Sequence, residues 1–233
     1  MMFAMPSKNS VKQYLEGGFY HIYNRGVDKR TIFKDEMDYK MFLSYLKNYL
    51  SSPDSKQVGP AQRPIRPSNM HETIQLICYA LMPNHFHLLI RQNTKFGIVS
   101  FMRRISNAYT KYFNERYGRV GPLFQGKYKG VLVTEDPYLL HLTRYIHLNP
   151  VGHGVLNGQN RSDLQSYPYS SYGEYLGKRK TGWIYPEGIL SFFDLAKTAF
   201  SQYDSSYKSF VEDYKINSAS QLGNLTLESE EKD

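Results

Sequence analysis

Two apolar runs, Ile74–Leu81 and His85–Arg91, are separated by little more than the turn-forming pair Pro83-Asn84. So short a connection can only fold the two runs back on each other as an antiparallel pair. This pair has a strand and a helix on each side of it. Before it come an alternating stretch, Phe19–Asn24, and a helical stripe over Asp35–Leu50 carried by Tyr39, Phe42, Leu43, Leu46 and Leu50. After it come a second helical pattern, Gly97–Tyr117, with Phe101, Met102, Ile105, Tyr109 and Tyr112 inward, and a strand over Tyr128–Val133. The predicted order is βαββαβ. A third helix follows over Asp136–Asn149, with Asp136 as N-cap and Pro137 in its first turn.

That order predicts an α+β fold, a ferredoxin-like antiparallel sheet with helices on one face. The 233 residues fit one such domain with an appendage. The core is expected over 13–150, with an α-helical C-terminal extension over 151–220 packed on it and helical patterns at Ile189–Phe200 and Ser206–Tyr214. The proline-rich stretch 51–73 reads as a mobile internal loop, and the polar, acidic end 221–233 as a disordered tail.

Composition narrows the setting. Apolar residues make up 41% of the chain, so general disorder is excluded. No run is long enough to span a membrane, and the first residues lack the apolar core of a signal peptide. One cysteine, Cys78, allows neither an intramolecular disulfide framework nor a cysteine-rich zinc site. A cytoplasmic, nucleoid-associated protein of a bacterium with no membrane partner is expected. The net charge is +8, and the tail sets Glu228, Glu230, Glu231 and Asp233 against Lys232, so the body is more basic still. A basic body suits a polyanionic partner.

The residues with chemical potential fall in two places. On a strand, His85 and His87 project from one face while Phe86, Leu88 and Ile90 project from the other, so two imidazoles could grip one ion. Two stacked surface histidines would give the same pattern. On the third helix His141, Tyr145 and Asn149 share a stripe at i, i+4 and i+8, beside the apolar stripe of Leu139, Leu142 and Ile146. Asn149 offers an amide oxygen as a third ligand and Tyr145 a phenol as nucleophile. A tyrosine at a helix rim and an asparagine before Pro150 are also ordinary packing and helix-end residues.

For nucleic acid, Arg103–Lys129 holds seven basic residues against Glu115 alone, interleaved with aromatics. Cations hold phosphates, and aromatic faces stack on unpaired bases. Arg116, Arg119, Lys127 and Lys129 are the phosphate candidates, with Asn24 and Arg25 as a second cluster.

Together these motifs resemble one family, the REP-associated tyrosine transposases within the single-tyrosine HUH transposases. The similarity lies in Met82-Pro83-Asn84-His85-Phe86-His87, Tyr145-Ile146-His147-Leu148-Asn149-Pro150-Val151 with His153-Gly154, Gly121–Tyr128, His21–Gly26 and Tyr167–Tyr172, over about residues 13 to 180. The resemblance implies an enzyme that cleaves and rejoins single-stranded DNA, at hairpin-forming elements, through a 5′-phosphotyrosine. It implies His85 and His87 as metal ligands with Asn149 as the third and Tyr145 as nucleophile; the nearby cation, or His141 one turn earlier as a base, would help the phenol attack. The ion expected is Mg²⁺ or Mn²⁺, polarising the scissile phosphate. Oligomeric state stays open, with a monomer favoured over a dimer. A non-catalytic single-stranded nucleic-acid-binding module of the same topology, and a metal-dependent hydrolase of small phosphoesters, are the competing readings.

Overall fold

The computed structural model of the chain describes residues 14–52, 69–152, 155–156, 161–199 and 206–213. Four antiparallel strands form the sheet: β1 (Phe19–Arg25), β2 (Ile74–Met82), β3 (His85–Gln92) and β4 (Lys129–Val133), in the order β2-β3-β1-β4. Three long helices connect or follow them: α1 (Glu36–Leu50), α2 (Gly97–Tyr117) and α3 (Asp136–Gly152). The ferredoxin-like order is as expected. Most of the internal loop, 53–68, lies outside the described residues, as do His153-Gly154 and the acidic tail.

Alternation in the strands builds two cores, one on each face. Tyr20, Ile22, Phe86, Leu88 and Ile90 point to the layer of α1 and α2, where Phe42, Leu46, Phe101, Ile105 and Tyr109 close over them. The opposite faces carry Ala80, Met82, Leu89 and Val133 into a second core with Leu139, Leu142 and Ile146 of α3. A β-bulge in β2, at Ile77 between Leu76 and Cys78, makes both cores possible. Leu76 and Tyr79, three residues apart, thereby point the same way, because one extra residue reverses the parity of the strand.

Helix ends follow local chemistry. Asp35 caps α1, its carboxylate accepting from the backbone N–H groups of Met37 and Asp38. Gly118, at φ 58°, closes α2 in the left-handed conformation. Two predicted ends of α3 move. Asp136 is its first helical residue rather than its cap, since the N–H of Leu139 bonds to the carbonyl of Glu135. The helix also runs through Pro150 to Gly152.

The C-terminal extension is helical as expected, with α4 (Tyr172–Tyr175), α5 (Glu187–Ala199) and α6 (Tyr207–Glu212). It covers the face opposite α1 and α2 together with α3, and it also lies along the open edge of β2. Ala80 bridges Ser170 in antiparallel fashion and Leu76 bridges Ile184 in parallel fashion. His147 of α3 ties this layer together. It is fully buried, with Nδ1 2.8 Å from the hydroxyl of Tyr207 and Nε2 2.8 Å from that of Ser171.

Burial, with a smaller contribution from the Arg179 charge, lowers the pKa of His147 from 6.5 to about 3. The unfolded chain therefore binds a proton below pH 6.5 that the folded chain refuses down to about pH 3. The resulting stability is complete above pH 6.5 and is lost as the pH falls across that window. A proton taken up only on unfolding changes stability by about 1.4 kcal/mol per pH unit. Urea unfolding of the parent at pH 7 and pH 5 should show the larger acid loss, and His147→Gln, which cannot titrate, the smaller. Equal losses would mean that another group carries the acid sensitivity.

Candidate active site

The imidazole face of the sheet lies beneath α3. His85 and His87 are 3% and 0% exposed, with ring centroids 5.1 Å apart and planes at 89°. Each ring is held through Nδ1. His85 Nδ1 lies 2.6 Å from Oδ1 of Asn84. That oxygen can only accept, so the proton sits on Nδ1 and the lone pair on Nε2, the form in which imidazole binds a metal. Asn84 is fixed in turn: its Nδ2 donates to the carbonyl of Lys29, and its own carbonyl accepts from the N–H of Gly26. The turn it docks on contains Asp28 and Lys29, both left-handed at φ 55° and 54°. His87 Nδ1 lies 2.8 Å from Nε2 of His21 on β1, and these two rings stack at 5.0 Å.

Tyr145 of α3 covers this floor. Its ring stands edge-on to His87 at 5.4 Å and 83°, and to His21 at 6.0 Å and 80°. The sequence places Tyr145 at a rim, but it is only 4% exposed. One turn on, the amide Nδ2 of Asn149 donates back to the carbonyl of Tyr145 at 3.0 Å. Its Oδ1 is buried without a hydrogen-bond partner among the described residues. A buried amide oxygen in that state costs free energy unless something electropositive reaches it. Among the described residues, no group of three or more His, Cys, Asp or Glu side chains could hold a metal ion. Imidazole nitrogens and a neutral amide oxygen are donor types that suit a hard or borderline cation.

His141 has partners of its own. Arg144 donates to its Nδ1 at 2.5 Å and its ring stacks on Phe210 of α6 at 6.1 Å, while the Arg144 guanidinium lies 4.4 Å over the same phenyl ring. Burial and the neighbouring arginine lower its pKa. His141 thus takes part in the joint between α3 and α6.

The cationic candidates divide. Arg116 is held within the fold. Its guanidinium pairs with Asp35 and Asp38, both at 2.7 Å, so its charge is balanced within the fold. Asn24 is held likewise. It is 6% exposed and lies on the α1/α2 face opposite Phe86, with its amide donating to the carbonyl of Gly126. Arg25 lies on the imidazole face, paired with His85 in register, and bonds to Gln125 at 2.5 Å. Lys129 shares that face opposite Tyr23, and Lys127 is exposed in the preceding turn. Arg119 lines a cleft of about 310 Å³ with Arg30, Lys34, Asp28, Thr31 and Phe113.

Comparison with known proteins is consistent with this geometry. A family model described as "Transposase IS200 like" matches residues 15–149, more than half of the chain. The chain belongs to the IS200-like transposase family. Among solved structures it is similar to a REP-associated tyrosine transposase bound to a REP hairpin, at 15% identity and a TM-score of 0.50, covering 76% of this chain and 91% of that one. A second similar structure, assigned as a transposase of Deinococcus radiodurans, has 13% identity and a TM-score of 0.36 over 61% of this chain and 95% of that one. No curated protein matches. The first likeness supports the fold alone, and the second is too distant to support any argument. For this IS200-like transposase, no helix among the described residues is long and apolar enough to cross a membrane.

Sequence reasoning left two site residues without a role, His21 and Asn84. Both stand in motifs already noted, and alternation puts His21 on the face of Tyr23. The pairing of β1 with β3 that brings His21 to His87 is not legible from spacing.

The pairing of Arg116 has a measurable consequence. Asp38 is 0% exposed and accepts four bonds, from Arg116, Tyr112, Tyr117 and the N–H of Lys34. Asp38→Ala removes the hub between α1 and α2 and strands those donors, which should cost about 3 kcal/mol in chemical denaturation. Arg116→Ala should lower the melting temperature yet leave the salt dependence of DNA binding unchanged. A flattened salt dependence would return Arg116 to the nucleic-acid surface.

Proposed function

We propose that this IS200-like transposase cleaves and rejoins single-stranded DNA, with Tyr145 as nucleophile and His85, His87 and Asn149 as ligands of a divalent ion, Mg²⁺ or Mn²⁺. The observation that carries the reading is the ring of Tyr145 standing over His87, with the buried Oδ1 of Asn149, partnerless among the described residues, one turn away.

The chain's own residues would work as follows. His85 presents Nε2 because Asn84 holds its Nδ1 proton. Asn149 adds a neutral oxygen, so the site brings no negative charge against a phosphodiester. A divalent ion held there would supply Lewis-acid polarisation of the scissile phosphate. Tyr145 attacks phosphorus through its phenolic oxygen. The new O–P bond forms as the P–O3′ bond breaks, and the phenolic proton is balanced by the one gained on the freed 3′-OH. The 5′-phosphotyrosine keeps the energy of the broken bond, so rejoining by a 3′-OH needs no nucleotide cofactor. The helix holding Tyr145 is pinned at His147 and at the His141–Arg144–Phe210 joint, which restricts where the phenol can stand.

The single-stranded partner, hairpin-forming as in the REP-bound relative, would lie across Arg25, Lys127 and Lys129 beside the imidazole face. The cleft of Arg30, Lys34 and Arg119 offers a second phosphate-holding region beyond the Asn84 turn. Lys34 also lies 4.0 Å over the ring of Tyr117, a cation and an aromatic face in one place.

With labelled single-stranded DNA and Mn²⁺, the parent should carry label through a denaturing gel, whereas Tyr145→Phe should carry none and still bind DNA. An adduct with the Phe variant would remove Tyr145 from the chemistry. Asn149→Ala should raise the Mn²⁺ concentration for half-maximal cleavage with a smaller effect than His87→Ala. Unchanged metal dependence would leave Asn149 as a helix-end residue. Binding in EDTA tests the path of the strand. Replacing Lys34 and Arg119 by Ala should flatten the log–log salt slope by about 1.4 units, at roughly 0.7 per phosphate contact. An equal slope would leave that cleft off the DNA path.

A further inference from the structure

The buried contact between His21 and His87 can be made in either of two directions. Both rings are 0% exposed, so no bulk water reaches the 2.8 Å contact between Nε2 of His21 and Nδ1 of His87. One proton lies between two nitrogens, and two neutral arrangements are open to it. In the first, His87 carries the proton on Nδ1 and donates it to His21, which leaves the Nε2 lone pair of His87 available. In the second, His21 donates and the proton of His87 moves to Nε2, where it blocks the edge that a metal would use.

The surroundings hold the pair in register. β1 and β3 are paired over their whole length, so His21 and His87 are diagonal neighbours on one face, with Tyr23 directly opposite His87. The rings stack with planes at 21°, and Tyr145 stands edge-on to both. His85 reaches the same end through Asn84, an acceptor with no alternative tautomer. His87 has instead a partner that can exist either way.

We infer that His21 is a positioning residue: by accepting the Nδ1 proton of His87 it fixes the metal-binding tautomer of His87 and the plane of the ring beneath Tyr145. The inference rests on the metal reading proposed above and adds a residue to it that touches neither ion nor DNA. Partners of this kind behind a metal-bound imidazole change affinity by about 10- to 100-fold when removed.

The test uses the full chain and Mn²⁺ alone, following the free-ion signal by electron paramagnetic resonance. His21→Phe keeps the stacking and loses the acceptor. It should weaken Mn²⁺ binding about 10- to 100-fold, and saturating Mn²⁺ should restore DNA adduct formation. His21→Gln, whose amide oxygen can accept the same proton, should recover most of the affinity. His87→Ala is the control and should abolish binding. If His21→Phe binds Mn²⁺ as the parent does while His87→Ala does not, His21 only packs and the inference is overturned. If His87→Ala also binds normally, the metal reading itself falls and the inference with it. The unmutated protein supplies a check independent of the variants' folding. Nitrogen-resolved NMR of the imidazoles should place the proton of His87 on Nδ1 in the metal-free protein, and a proton on Nε2 would overturn the inference.

Discussion

A sheet covered on both faces leaves no room for a polar side chain that lacks a partner, and this sheet carries three imidazoles on one of its buried faces. Burial of unsatisfied polar atoms is costly enough to dictate their surroundings. His85 is answered by Asn84, His87 by His21, and the Asn84 turn by the left-handed turn at Asp28 and Lys29. The opposite face of the same strands is filled with Ile22, Phe86 and Leu88, whose burial supplies the apolar driving force. One strand thus turns Phe86 and Leu88 to one core and His85 and His87 to the other face.

The third helix shows the same economy along a different period. It puts Tyr145 against the sheet's imidazoles, while His141, Arg144 and His147 reach the C-terminal extension. The helix is therefore held from two sides at once. The α1/α2 layer has its own polar hub at Asp38, distinct from the imidazole face and closed by Arg116 and two tyrosines.

Much of this was legible in the sequence. Element order, the shared face of His85 and His87, and the Tyr145–Asn149 spacing follow from periods of two and 3.6, which depend on local geometry alone. What stayed hidden depends on partners distant in the chain. Arg116 and Arg119 look alike as cations near the end of one helix, but only Arg116 meets Asp35 and Asp38, some eighty residues earlier. Asn24 looks like a strand-end donor until the turn at Gly126 closes over it. His141 falls on the stripe of Tyr145, yet Arg144 and Phe210 claim it. The bulge at Ile77 is invisible because the run around it is apolar on both parities.

The strand-like contacts of the extension on β2 bear on how copies of this chain could assemble. A sheet grows by adding a strand to an open edge, and on the β2 side the backbone groups of Leu76, Tyr79 and Leu81 are already bonded to Tyr185, Ser171 and Tyr169. A second copy cannot continue the sheet there without first peeling its neighbour's extension away. Because His147 anchors that same extension through Tyr207 and Ser171, such an exchange would also loosen the helix that carries Tyr145. Self-association by strand addition at β2 and a firmly seated Tyr145 therefore exclude each other in this fold.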